Sequence, residues 1–461
     1  MLEKLKQAFH ARRVAIVGAS QDQLSVGIGP LYNLFSASFN GEVLPVNPKY
    51  EKILEKKCYP DLESIDPPPD VAILLLNQHL AVEMAERAAK HGVAAVSIVA
   101  GGFKEVQAGG GALEKRLQEL AQHYELPVIG PNTLGFSSFH HGLHGIFAHL
   151  DAIPGPVAVI SQSGGVGINI SHSLRSLHCG LSHFIGVGNR TVVDFADCLR
   201  VLRDFPEAKT FCLFVEGIEN PRTLYEAAVE TTPRKPVVVY KAGKNEVVSR
   251  ATATHTGSLT GEYELYRAMF KQAGMYEVQS SWDAAVACKA LSMLSPPAGN
   301  RLCALTFTAG PCIVAMDKLV SAGWELPDLS PGAKEKVKSI IGEKASVVIQ
   351  NPVDLTGAGF LPTIYSRVLD VILSEDYDAY FLVWDYNPLV RIPAVEFANL
   401  ASRFAGRPVV LVTLANQMES VSFMEAYASR GICAYLTPED GASALNALLA
   451  RQIYLKREGL Q

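Results

Sequence analysis

The sequence carries no CxxC pair, no apolar run approaching the roughly 20 residues that a membrane-spanning helix requires, and little excess of either charge. Each shortage removes a class of protein. The eight cysteines, at positions 58, 179, 198, 212, 288, 303, 312 and 433, are scattered, several inside apolar runs such as Phe211-Cys212-Leu213-Phe214. That distribution predicts reduced, buried thiols in place of disulfides, and no metal-ligating set is read from the sequence. A formal net charge of -5 gives no long-range field to attract nucleic acid or an anionic membrane. Neither is expected as a partner, and any phosphate chemistry must rely on local groups. The opening segment MLEKLKQAFHARR has helical spacing but lacks the apolar centre of a signal peptide, which predicts a cytoplasmic protein.

Glycine and short apolar runs are what the chain has in abundance. Its 461 residues include 37 glycines and 26 prolines at 48% hydrophobic content, a composition for compact, turn-rich domains. The length exceeds what one core organises, and three domains are expected. Short apolar runs bounded by Gly, Pro and Asn alternate with helical spacing throughout, so the predicted class is α/β, with doubly wound parallel sheets built from βαβ units. Predicted strands at 14–17, 43–46, 71–76, 93–99 and 127–129 make a first, Rossmann-type unit. A loop of His, Gly and Phe residues over 139–149, followed by Ile153-Pro154-Gly155-Pro156, then places a boundary near 150. Strands at 157–160, 182–185, 210–215 and 236–241 make a second unit. Residues 295–300 read as a linker to a third, with strands at 302–307, 347–350, 379–384 and 409–414.

Several motifs have chemical potential. Gly18-Ala19-Ser20 follows the first strand, with Gly27 and Gly29 soon after, placing small residues where a phosphate can approach a helix N-terminus. The spacing is not GxGxxG. The second strand ends in Asn47-Pro48-Lys49 and not in an acidic residue, which argues for a phosphorylated ribose over the free ribose of NAD; a plain turn lysine is the alternative. Ile160-Ser161-Gln162-Ser163-Gly164-Gly165-Val166-Gly167 joins a strand to a helical run without any large side chain. Its amides and hydroxyl can bind a dianion, or its glycines can serve packing alone. No Walker lysine follows, so it is not an ATP P-loop. His255 stands in the hydroxyl-rich stretch Thr252-Ala253-Thr254-His255-Thr256-Gly257-Ser258, where an exposed nucleophile and a simple loop histidine are both open. Glu216, at a strand end, can hold one imidazole nitrogen and so choose which one attacks; Glu219 is the other candidate.

The segments RRVAIVGAS, GEVLPVNPKY, AGGFKEV, GPNTLGF, SQSGG, VGNRTVVDFAD, FVEGIEN, HTGSLTG, FTAGP and NPVDLTG occur in this order between Arg12 and Gly357. In that set the chain resembles the alpha subunits of ADP-forming acetyl-CoA synthetases, which are themselves similar to the alpha subunit of succinyl-CoA synthetase with a further domain. The resemblance implies a Rossmann-type CoA-binding domain over 1–150, a succinyl-CoA synthetase-like domain carrying a phosphohistidine loop over 151–296, and a second flavodoxin-like ligase domain over 297–461.

It also implies site residues. Gly18, Ala19, Ser20, Ser25, Asn47 and Lys49, with Asn77, Ala100, Gly101 and Asn132, would bind CoA. Gln162, Ser163, Gly164 and Gly165 would hold a phosphoryl group, His255 would become phosphorylated, and Glu216 would position it. In such enzymes acyl-CoA and phosphate give an acyl phosphate, the histidine takes the phosphoryl group, and a mobile loop delivers it to ADP. The three units use up the 461 residues, so the Mg-bound ADP or ATP is expected on a separate ATP-grasp beta subunit, in an α2β2 assembly. The chain departs from the family pattern at Ser25, where Lys is frequent, at Asn77-Gln78, where Pro-Ala is common, and at Phe307, which replaces a usual Asn where a partner is expected. A non-catalytic CoA-binding regulator or scaffold is the alternative reading. A dehydrogenase using NAD(P) is a further one, opposed by Asn47-Pro48-Lys49 and by the lack of a hydride-transfer site.

Overall fold

The computed structural model describes residues 1–22, 25–36, 39–106, 110–245, 263–342, 347–385, 394–402, 406–415 and 417–460. The chain divides into two compact units, Met1–Arg175 with Cys179–Ala284, and Ala285–Gln461 with Ser176–His178. Unit 1 contains two large sheets, besides the short antiparallel pair Lys52–Ile53 and Lys56–Lys57. In the first, β1 (Arg13–Val17), β2 (Glu42–Val46), β3 (Val71–Leu74), β4 (Ala95–Ile98) and β5 (Val128–Ile129) run parallel in the order 2-1-3-4-5. The second comprises β6 (Phe136–Ser138), β7 (Leu143–His144), β8 (Pro154–Ser161), β9 (Leu181–Gly186), β10 (Thr210–Val215), β11 (Val237–Lys241) and β12 (Tyr276–Val278), in the order 12-11-10-8-9-6-7. Strands β8 to β12 are parallel, and β6 and β7 extend one edge antiparallel. Unit 2 contains β13 (Leu302–Thr306), β14 (Val353–Asp354), β15 (Ala379–Asp385), β16 (Val409–Leu414) and β17 (Cys433–Tyr435), all parallel, in the order 14-13-15-16-17. Counted within each parallel set, the order is always second, first, third, fourth, fifth. Each sheet therefore reverses direction of winding beside its first strand, the place where α/β sheets bind ligands.

The strands form because their residues are apolar on both faces, as a parallel sheet covered by helices demands. Every residue of β3 and of β10 is buried. Local chemistry sets the helix ends. Asn77 caps the helix Gln78–His91 by accepting from the Leu80 amide, and Gly92 ends it in the left-handed region. Asp194 and Asp197 form a reciprocal capping box on the helix Phe195–Leu202. One core of unit 1 runs from Val14 and Ile16 through Ile129 and Phe136 to Ile160, Phe211 and Leu213, so both sheets share it. In unit 2 the core is aromatic at its centre, with Tyr365 and Phe307 packed edge-on against Trp384 at 4.7 and 4.9 Å between ring centroids. All eight cysteines are buried and free, as expected.

Three sequence expectations are revised. Residues 347–350 are not a strand: Val348 and Asp354 exchange two backbone hydrogen bonds of 3.1 Å. The chain turns back at Asn351-Pro352, where proline offers no N–H to a ladder, and Val353–Asp354 takes the place beside β13. The loop over 139–149 is partly strand, since β7 lies within it and pairs with β6; runs of three and two residues are too short for alternation to be read. Phe307, expected at a partner surface, is 5% exposed and belongs to the aromatic core.

The chain after β9 stitches the two sheets of unit 1 together. Amides of Asn189, Thr191 and Val193 donate to the carbonyls of Pro131, Gly130 and Val128 at 2.9, 3.3 and 3.2 Å. Gly188 makes this approach possible: its φ is +53°, and a Cβ there would lie 2.3 Å from the Pro131 carbonyl oxygen. Gly188→Ala should therefore cost about 1–3 kcal/mol from backbone strain and clash, read as a lowered calorimetric midpoint for unit 1.

Candidate active site

At the end of β1, Gly18 has a φ of +86°, and a Cβ on it would meet the Leu75 carbonyl oxygen at 2.6 Å. Glycine is thus required by the turn itself. Ala19 follows, and its carbonyl accepts the side-chain amide of Asn47 at 2.8 Å. The Asn47 carbonyl Oδ1 in turn accepts from the Lys49 amide at 3.0 Å. Asn47 so ties the ends of β1 and β2 together and sets Lys49 on the surface, where its ammonium makes no ion pair among the described residues. Ser20 Oγ accepts from the Asp22 amide at 3.1 Å, and Ser25 Oγ from that of Gly27 at 3.1 Å, capping a short helical turn. Asn77, at the end of β3, is exposed, with Oδ1 used as the helix cap described above.

Beyond β4 a polar network joins the first sheet to the stitching segment. The Ala100 carbonyl accepts from the Asn132 amide at 2.8 Å. Gly101 is exposed beside it, and the Gly102 amide donates to Glu105 Oε1 at 2.6 Å. Glu105 Oε2 accepts from Asn189 at 2.5 Å, whose own Oδ1 accepts from Asn132 at 3.3 Å. Burial would raise the Glu105 pKa, but these hydrogen bonds from Asn189 and backbone amides outweigh it and hold the carboxyl below its ordinary value. Lys104 pairs with Glu114 at 3.2 Å and with Glu219 of the β10 edge.

The second sheet supplies the other half. After β8, Ser161 Oγ donates to the Ser163 carbonyl at 2.6 Å, locking a tight turn into the helix Gly164–Ser176. Ser163 Oγ lies 3.5 Å from the Val166 amide. Gly164 is required by packing, as a Cβ would come within 2.6 Å of Leu134. Gly165 is different: it is exposed, and a Cβ would meet none of the described residues within 4 Å. The first turn of this helix carries no acidic residue, so its amides present an unopposed positive dipole end. Gln162 is 8% exposed, and its Oε1 accepts from the amides of Glu216 and Gly217 at 2.9 and 3.2 Å. One side chain thereby fixes the end of β10 against the turn after β8.

Behind Glu216 stands Lys241, 2% exposed, whose Nζ donates to the Glu216 carbonyl at 2.7 Å and to that of Ala242. Burial lowers its pKa to about 8, with the Glu216 carboxylate acting in the opposite sense.

The structure therefore gathers Gln162, Ser163, Gly164, Gly165 and Glu216 at one place. It gathers Gly18, Ala19, Ser20, Asn47 and Lys49 at another, with Ala100, Gly101 and Asn132 joined through the Glu105–Asn189 network. Ser25 is tied to this set through Gly27 and through Asp22, whose carbonyl accepts the Ser25 amide at 3.0 Å, and Asn77 by following β3. His255 lies outside the described residues. Of the two carboxylates considered for it, Glu219 is engaged by Lys104, while Glu216 has its backbone pinned by Gln162 and Lys241. Sequence reasoning missed Glu105, Asn189, Lys104 and Lys241, although the first three stand inside recognised segments; a glutamate three residues after Gly101-Gly102 was the available signal for Glu105.

Comparison with known proteins gives this geometry a class. The CoA binding domain family matches residues 12–138, and the succinyl-CoA ligase like flavodoxin domain family matches residues 154–291. The chain is 32% identical over 446 residues to the alpha subunit of acetate–CoA ligase (ADP-forming) II of Pyrococcus furiosus, covering 96% of each. It is 29% identical over 455 residues to the alpha subunit of ligase I of the same organism, covering 96% of this chain and 97% of that one. Among solved structures, the dinucleotide forming acetyl-coenzyme A synthetase 1 of Ca. Korarchaeum cryptofilum, in complex with phosphate and ADP, superposes with a TM-score of 0.90 at 30% identity, covering 98% of both chains. The chain belongs to the family of ADP-forming acetate–CoA ligase alpha subunits.

Two outcomes follow from the site's construction. Gln162→Leu strands two amides and should cost about 1–3 kcal/mol, measured by denaturant titration, whereas Gln162→Glu keeps the acceptor and loses less. For Lys241, below about pH 8 both folded and unfolded chains hold the proton, and the burial penalty is fully present. Between about 8 and the ordinary 10.5 only the unfolded chain keeps it, so stability rises with pH across that window. Lys241→Met should flatten that rise in denaturation curves taken at the two ends of the window.

Proposed function

We propose that the chain is the CoA-binding catalytic subunit of an NDP-forming acyl-CoA synthetase, converting acyl-CoA, phosphate and ADP to carboxylic acid, ATP and CoA together with a partner. The observation that carries this reading is the crosslink from Gln162 to the amides of Glu216 and Gly217, which puts a carboxylate-bearing strand end beside an open helix N-terminus. We assign residues 1–150, 151–296 and 297–461 as its domains, a partition supported by one parallel sheet centred in each.

In this reading CoA occupies the edge of the first sheet formed by Gly18, Ala19, Ser20, Ser25, Asn47, Lys49 and Asn77, with Ala100, Gly101 and Asn132 beside it. Phosphate rests on Ser163 and the amides of Gly164 and Gly165. A phosphate oxygen attacks the thioester carbonyl, the C–S bond breaks, and CoA leaves as thiolate. His255 then attacks the phosphorus of the acyl phosphate, the P–O bond to the acyl group breaks, and the carboxylate departs. Glu216 holds the second imidazole nitrogen, so that the attacking one is unprotonated. The helix N-terminus spreads the charge of the phosphoryl group over amides at each stage. The phosphohistidine passes its phosphoryl group to ADP on an ATP-grasp beta subunit, which also holds Mg2+, in an α2β2 assembly. No described helix is long and apolar enough to cross a membrane, which agrees with the cytoplasmic location we assign. Family membership speaks against a non-catalytic scaffold.

The test is acid-labile phosphorylation by intact mass, with phosphate and a panel of acyl-CoAs, in the presence of an ATP-grasp partner. One phosphoryl group should appear with a competent acyl-CoA and vanish in His255→Ala. Glu216→Gln should slow its appearance by about 10- to 100-fold without weakening CoA binding. No phosphorylation under any condition, with CoA bound and the partner active on another alpha subunit, would overturn the reading.

A further inference from the structure

The candidate active site gathers at the carboxyl ends of strands, yet the densest unassigned chemistry in unit 1 lies at an amino end, just before β10. Three segments meet there. His10 follows the helix Leu2–Phe9, His141 closes the helical turn Phe139–His141 between β6 and β7, and Glu207 stands on the connection into β10. One ligand atom from each of the three lies within 4.8 Å of the others, and each imidazole Nε2 is 4.0 Å from Glu207 Oε1. Around a tetrahedral ion with bonds of about 2.0–2.1 Å, ligand atoms sit roughly 3.4 Å apart. Small side-chain rotations would therefore bring all three onto one centre.

Further observations point to a cation. Glu207 Oε1 is buried and accepts no hydrogen bond among the described residues, a costly state for a carboxylate oxygen. The imidazoles are also already oriented. His10 stacks on Phe205 at 4.3 Å between ring centroids and meets His141 edge-on at 4.8 Å. The His10 Nε2 faces Glu207 across 4.0 Å, with the stacked Phe205 ring behind it. The surrounding groups are otherwise engaged: His140 contacts the Gly155 carbonyl at 3.0 Å, His183 contacts Ser138 Oγ at 3.3 Å, and Lys235 donates to the Phe205 carbonyl at 2.6 Å.

We propose that His10, His141 and Glu207 form a binding site for a divalent transition-metal ion of the zinc class, water completing the coordination. Two imidazoles and one carboxylate suit zinc or nickel and disfavour magnesium. Bound there, the ion fastens the first helix, the β6–β7 connection and the entry to β10 to one another, far from the chemistry on CoA, and its role is structural.

The test uses the full-length untagged chain, stripped with a chelator and titrated with Zn2+ by calorimetry and by thermal melting. One equivalent should bind, and the melting temperature should rise with Zn2+ but not with Mg2+. His141→Ala and Glu207→Gln should each weaken Zn2+ binding by about 10- to 100-fold or more, whereas His140→Ala should bind as wild type does. If His141→Ala does not fold, His10→Gln, at an exposed ring, takes its place. Absence of saturable Zn2+ binding, equal binding by the His141 and Glu207 variants, or equal loss in His140→Ala would each overturn the proposal.

Discussion

Everything at the candidate active site depends on three backbone hydrogen bonds by which the chain after β9 is laid along the turn that closes the first sheet. Because these bonds run between backbone groups, they fix the spacing of two strand-end edges without relying on side-chain identity. The polar side chains then refine that spacing. Glu105 and Asn189 bridge the seam at one point, and Lys104 reaches Glu219 at another. A shared hydrophobic core beneath the seam makes the two sheets one folding unit, so that the edge assigned to CoA and the turn assigned to phosphate are not free to drift apart.

The first strand of unit 2 ends in a turn that repeats the local construction of the phosphate turn. Thr306 Oγ1 donates to the Thr308 carbonyl at 2.9 Å, as Ser161 Oγ does to that of Ser163 at 2.6 Å. A hydroxyl latch at this place is thus a property of the winding pattern and not of phosphate chemistry. What separates the two turns is the second residue. Gln162 reaches sideways to hold the neighbouring strand end, whereas Phe307 turns into an aromatic core. Chemistry and stability have been given the same backbone and different side chains.

The sheets were legible in the sequence because parallel strands buried on both faces appear as uninterrupted apolar runs, as in Val71–Leu74 and Thr210–Val215. The glycines of the strand-end turns were legible for the same reason that they are needed: no other residue fits at Gly18. Short edge pairings such as Leu143–His144 were not, since two residues carry no period. Nor was the partnership of Glu105 with Asn189, or the burial of Lys241, because these are contacts between distant segments and leave no trace in local spacing. The opposite error at Phe307 has the same origin. A family comparison marks it as a substitution, but only packing says that the ring belongs inside.

Gly165 leaves a puzzle that the folded chain by itself does not resolve. No described residue touches the space a side chain would fill there, and glycine near the start of a helix costs conformational entropy that alanine would not. Gly165→Ala would raise the helix propensity there without a clash against any described residue. If phosphate rests on this turn as proposed, bare backbone at Gly165 is what lets it come close, so a scan of variants for solubility or melting would pass over a position where the chain trades stability for contact.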